Sequence, residues 1–174
     1  MKGKWAEGIR PRNFAWVIKN HLAVSERPGG YGSSHRRVRR QEEIIWIRQQ
    51  EFDCVISLIG APHNLHNYDE LGLRALHRPF PVGPANDETL VTLDRLYSEI
   101  RELTRRNLKV LVHHEEVNDR VLGLMAGYLV WTAMVPDQPR AVVMTERIFG
   151  RKIGSMGRSI VAAADRAADM HRAG

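Results

Sequence analysis

Within eight residues, from His113 to Arg120, the chain gathers two imidazoles, three carboxylates and a guanidinium directly after the apolar run Lys109-Val-Leu-Val112. Imidazole can move protons, attack phosphorus or bind metal, and a guanidinium fork suits phosphate or carboxylate. His113, His114, Glu115 and Glu116 offer nitrogen and oxygen donors to zinc or another divalent ion, which could activate water. Adjacent residues rarely project to one point, however, and no spaced ligand motif such as H-E-x-x-H is present. No metal and no other cofactor is therefore expected. The one cysteine, Cys54, lies inside the apolar run Asp53-Cys-Val-Ile-Ser-Leu58 and reads as a small buried hydrophobe in a strand. A single cysteine also excludes an intramolecular disulfide and fits a reducing cytoplasm.

The elements that must position these groups follow from periodicity and punctuation. Residues 13–24 have apolar spacings suited to short strands, and the Pro- and Gly-rich run 27–33 is turn chemistry. Residues 38–50 read as a helix with Val38, Ile44, Ile45 and Trp46 on its buried side. Residues 54–58 form a strand covered on both faces, a short helix spans 68–71 before Gly72, and another strand spans 74–77. The proline-rich stretch 78–87 is a loop, with Asn86 or Asp87 able to cap the helix over 88–106. Residues 109–112 form a third apolar strand, leading into a strongly apolar helix marked by Val121, Leu124, Met125, Tyr128 and Leu129. Helices over 137–147 and 154–172 close the chain, the last with a modest apolar face of Ile160, Val161, Ala164, Ala167, Ala168 and Met170. Such alternation means an α/β fold: one domain with a central, mainly parallel sheet and helices on both faces. In such sheets ligands bind beyond the carboxyl ends of the strands, which singles out the segment after Val112.

The chain has 174 residues, enough for one domain, with 43% hydrophobic and 26% charged residues, ordinary for a globular protein. Its net charge of +6 favours acidic partners. The basic cluster Arg36, Arg37, Arg39 and Arg40 can pair with Glu42 and Glu43 one turn on, so a solvated helix start explains it better than a nucleic-acid patch. No apolar run approaches the ~18 residues of a membrane span, and the first residues lack the apolar core of a secretory signal.

The segment His113-His114-Glu115-Glu116-Val117-Asn118-Asp119-Arg120-Val121, between a strand and a buried helix, resembles the phosphate loop of the dual-specificity, tyrosine-phosphatase-like cysteine phosphatases. In that family a strand leads to His-Cys-x-x-Gly-x-x-Arg-Ser/Thr and then a helix. The resemblance covers residues 13 to 150: 16–29 look like the opening strand and turn, and 68–82 like the approach to the general-acid loop. It implies a segment 1–12, a phosphatase-like domain 13–150 and a C-terminal helical extension 151–174.

Residue by residue, the resemblance implies a dismantled site. His114 stands at the nucleophile, and its bulkier ring does not replace a thiolate in line with phosphorus. His113 matches the preceding histidine, expected to be buried and to brace the loop. Val117 stands at the glycine, where a β-branched residue implies either a different loop backbone or strain. Val82 stands at the general-acid aspartate and cannot donate a proton; Asp87 is better employed capping the next helix. Val121 replaces the hydroxyl that helps release the thiolate. Glu115, Glu116 and Asp119 against Arg120 give the loop a local charge of 1 − 3 = −2. Two like charges ~5 Å apart repel by about 3 kcal/mol at an effective dielectric of 20, a penalty an anion meets in full if these carboxylates point inward and that shrinks if they point outward. The loop is expected to repel anions, with Arg120 taken by its own carboxylates. The expected function is that of a pseudophosphatase: a binding or regulatory module with a protein partner, phosphorylated or not, and homo-oligomers allowed. The alternatives are an atypical phosphatase or metal-assisted phosphohydrolase with residual activity, and nucleic-acid or polyphosphate binding through the basic surface.

Overall fold

The computed structural model describes residues 8–30, 37–62, 65–80 and 85–174. The chain divides into two compact units, 1–79 with 106–116 and 80–105 with 117–174, taken here in turn.

The first unit is built on a five-stranded sheet. β1 (Ala15–Ile18) and β2 (Leu22–Glu26) form an antiparallel hairpin, turned at Asn20, whose φ of 64° an asparagine tolerates. β3 (Cys54–Ser57), β4 (Arg74–His77) and β5 (Val110–His114) complete the order β1-β2-β5-β3-β4, with every pairing beyond the hairpin parallel. α1 (Arg37–Gln49) lies between β2 and β3 in the chain, and α2 (His66–Glu70) between β3 and β4. Ile44 and Ile47 of α1 and Tyr68 of α2 pack with Ala23, Val55 and Leu111 on one face of the sheet. The alternate residues Leu22, Val24, Cys54, Ile56, Val110 and Val112 are equally buried, as expected of strands sealed on both faces. Cys54 is 1% exposed.

Three expectations for this unit need correcting. The strand expected over 109–112 is Val110–His114, so both histidines belong to the sheet. Its pairing continues past Val112 because Ser25 and Glu26 on one side, and Ser57 on the other, extend the ladder alongside them. In α1, Val38 is 65% exposed, Ile45 and Trp46 are only partly buried, and Ile47 is the residue that reaches the core. At about 100° per residue Val38 lies on the side of the helix opposite Ile47, so the two cannot share a buried face. Glu43 is also fully buried: its carboxylate accepts from Gly29 N and pairs with Arg39 Nε at 3.2 Å. The pairing with Arg39 is the one expected, but it is made by a buried carboxylate rather than a solvated one. Arg36 falls outside the described residues.

The second unit holds α3 (Asp87–Arg105), α4 (Asp119–Trp131), α5 (Gln138–Phe149) and α6 (Ser155–Ala173). Every residue of α4 from Val121 to Trp131 is buried. α4 and α6 approach at glycines: a Cβ on Gly123 would lie 2.3 Å from the Gly157 carbonyl oxygen, and one on Gly127 would lie 2.7 Å from Ala164 Cβ. Tyr97 of α3 donates its hydroxyl to the Leu124 carbonyl at 2.6 Å, tying α3 to α4. The inward face of α6 is Gly157, Ile160, Val161, Ala163, Ala164, Ala167 and Ala168; Met170, expected on it, is 57% exposed. Asn86 rather than Asp87 caps α3, exchanging hydrogen bonds of 3.0 Å with Thr89 in both directions.

Candidate functional site

β5 carries the first half of the segment. His113 is 3% exposed, and its Nδ1 shares a 2.9 Å hydrogen bond with the Tyr68 hydroxyl. Burial, then the neighbouring His114 and then Arg27, push its pKa down to about 3, so the ring is neutral at physiological pH. Burial also raises the Tyr68 phenol well above its usual value, with Glu43 adding to the shift. The pair is a fixed, uncharged brace. His114 is half-buried, and its carbonyl accepts from Arg27 N at 2.8 Å. Glu115 is half-exposed, 3.8 Å from Arg27 Nη1, and Glu116 is exposed.

The second half opens α4. Val117 is buried, and its carbonyl accepts from Arg151 Nη1 at 3.0 Å. Among the described residues, the non-glycine positions with positive φ are Asn13, Asn20, Glu51, Asn107 and Ala133, so Val117 carries none of the strain allowed for above. Asn118 caps α4, its side-chain oxygen accepting from Val121 N at 3.2 Å. Asp119 does something the sequence did not suggest. Its carboxylate accepts from the backbone N–H of Gly154 and, at 2.7 Å, from that of Gly157, both at the start of α6. A loop carboxylate thus fills the amino-terminal end of another helix, where orphan donors and the helix dipole favour negative charge. The Arg120 guanidinium lies 5.5 Å from the centre of the Phe80 ring.

These placements correct the expected electrostatics. Asp119 is held by backbone amides, and Glu115 and Glu116 are turned to solvent, where water and salt screen them. The repulsion counted from the sequence shrinks accordingly. Asp119 goes to α6 and Glu115 faces Arg27. Val82 lies outside the described residues. Before it, His77 Nε2 bonds the Ile59 carbonyl at 2.7 Å. Among the described residues, no three His, Cys, Asp or Glu side chains converge as a metal ligand set would, and no helix is long and apolar enough to cross a membrane.

No protein-family profile matches the sequence, and no curated protein matches it either. Solved structures do. Kinase associated phosphatase, with its catalytic-site cysteine substituted by serine, aligns over 94% of this chain and 98% of its own at a TM-score of 0.75 and 15% identity. The fold is that of the dual-specificity and tyrosine phosphatases. The active form of Tk-PTP aligns over 88% of this chain and 97% of its own, with a TM-score of 0.69 and 18% identity. Human DUSP28 aligns over 96% and 99%, with a TM-score of 0.63 and 14% identity. Likeness at such identities concerns the phosphatase fold, not the activity. Sequence reasoning reached the loop of this fold but missed Tyr68 as the partner of His113, and Gly154 and Gly157 as the partners of Asp119. The glycine pair four residues apart, Gly123 and Gly127, was the available signal that α4 is closely approached by a neighbour.

Proposed function

We propose that this phosphatase-fold chain is a pseudophosphatase, a non-catalytic module that binds a protein partner, with phosphorylated proteins as the first class to test. The observation that carries this reading is the location of sulfur: the only thiol, Cys54, is sealed inside β3 at 1% exposure, and β5 ends in His114 where the family carries its nucleophile. Catalysis of the family type needs an accessible thiolate at that strand end. The commitment of Asp119 to α6 supports the same reading, since it assigns structural work to a residue of the loop. The free thiol fits a cytoplasmic setting.

The reading is tested by incubating the purified chain with p-nitrophenyl phosphate and with phosphopeptides. No release above buffer is expected. Steady release that disappears in His114→Ala rejects it.

A further inference from the structure

We propose that the groove between α5 and α6 is a self-association surface, and that its occupant is the same groove of a second copy of this chain, related by a two-fold axis. The inference goes beyond the binding reading above and stands or falls without it.

Gln138, at the start of α5, bonds Asp165 well along α6, whereas Glu146, near the end of α5, accepts from Ile153 N just before α6. The two helices therefore run antiparallel. Between them lies an open cavity of about 440 Å³, with Val142 and Val161 in its lining and Pro136 and Pro139 exposed at its rim. Val143 is exposed as well, and four residues after Pro139 it adjoins that proline on the helix surface. A hollow with an exposed apolar rim is a face whose burial a second surface would complete.

The charges say which surface. Arg158, Val161 and Asp165 stand at i, i+3 and i+7, one stripe of α6 along the cavity. The cation and the carboxylate are thus about 10 Å apart along the helix, with Val161 between them. Arg158 gives Nε to the Ile153 carbonyl at 3.0 Å, and Asp165 accepts from Gln138 Nε2 at 2.8 Å, so each is held in place by a neutral group. Neither makes an ion pair among the described residues. The other charges close by answer one another: Asp137 lies 3.5 Å from Arg140, and Asp169 lies 3.0 Å from Arg172. An acidic partner would be drawn to Arg158 and repelled by Asp165, and a basic one the reverse. The pattern that fits both ends is this one turned end for end. A two-fold axis near Val161 supplies it, with Arg158 of each copy meeting Asp165 of the other. The net charge of +6 opposes association at a distance, but salt screens that repulsion beyond about 8 Å, whereas the two opposed pairs act at contact.

Sedimentation velocity of the full chain over a concentration series tests the proposal. A monomer–dimer equilibrium is expected, ending at two copies. By symmetry, Arg158→Glu and Asp165→Lys each set like charges face to face twice, and each should raise the dimer dissociation constant about tenfold or more. Mixing the two variants should restore association as a heterodimer, because each then meets opposite charge at both ends. A folding defect in either variant could not produce that rescue. Val143→Glu, at the exposed rim, should weaken the dimer too and remains informative if a charge variant folds poorly. A chain that stays monomeric throughout overturns the proposal and leaves the groove to another protein. Growth past the dimer overturns it, since a closed two-fold contact ends at two copies. So does a dimer that all three variants leave intact, which places the contact elsewhere, and so does a mixture of the two charge variants that stays monomeric. Release from p-nitrophenyl phosphate bears only on the pseudophosphatase reading, so the two claims fail separately.

Discussion

Replacing Asp119 by alanine should unfasten the start of α6. The carboxylate accepts from Gly154 N and Gly157 N, and Gly157 is buried, so water cannot take over its N–H. Loss of a helix-capping acceptor costs about 0.5–2 kcal/mol. Leaving a buried donor unsatisfied costs about 1–3 kcal/mol, part of the same effect, so about 2–3 kcal/mol in total is the expected loss. For a chain of this size that corresponds to a fall in Tm of about 5–10 °C. Asp119→Asn keeps one acceptor oxygen and should fall between parent and alanine variant. Urea and thermal unfolding followed by circular dichroism measure both. An alanine variant within about 0.5 kcal/mol of the parent would refute the reasoning, because it would mean that Asp119 does no capping work.

Stability should fall as pH drops from about 6.5 to about 3, because His113 titrates near 3 in the fold and near 6.5 when unfolded, so the unfolded chain binds the extra proton. The contribution is complete above the unfolded value and is lost at up to about 1.4 kcal/mol per pH unit below it; His113→Asn should flatten that part of a stability–pH curve. Tyr68→Phe removes the partner of a buried imidazole and should cost about 1–3 kcal/mol in urea unfolding, with no change if the 2.9 Å contact is idle. Gly123→Ala drives a Cβ against backbone atoms of Gly157 and should cost about 3 kcal/mol or prevent folding, which expression and unfolding curves will show. His114→Cys alone should gain no phosphatase activity, since Val82 and Val117 remain; robust turnover would refute the roles given to those two positions.

The sheet was legible because its central strands are short apolar runs bounded by turn residues, and the Asn20 and Gly72 turns fall where the patterns break. The long helices were legible from spacing such as Leu90, Leu93, Tyr97 and Ile100. The extent of α1 was legible too, but its buried face was not, because two apolar stripes compete on it: Val38 with Ile45, and Ile44 with Ile47. Only packing against Ala23, Val55 and Leu111 decides between them. At the loop, residue types gave the positions but not the partners. Asp119 is bound by amides 35 and 38 positions further along the chain, and nothing local marks that pairing. Counting its charge as free therefore overstated the repulsion. The buried Glu43 escaped notice for the same reason, since its partner Gly29 lies on a preceding turn.

Intact-mass spectrometry of the protein, quenched with acid-sparing buffer during incubation with a phosphate monoester, tests the core of the account. Any covalent route through this segment must pass through a phosphorylated side chain at the end of β5. The account predicts the unmodified mass alone; a phospho-adduct mapping to His114 would contradict it.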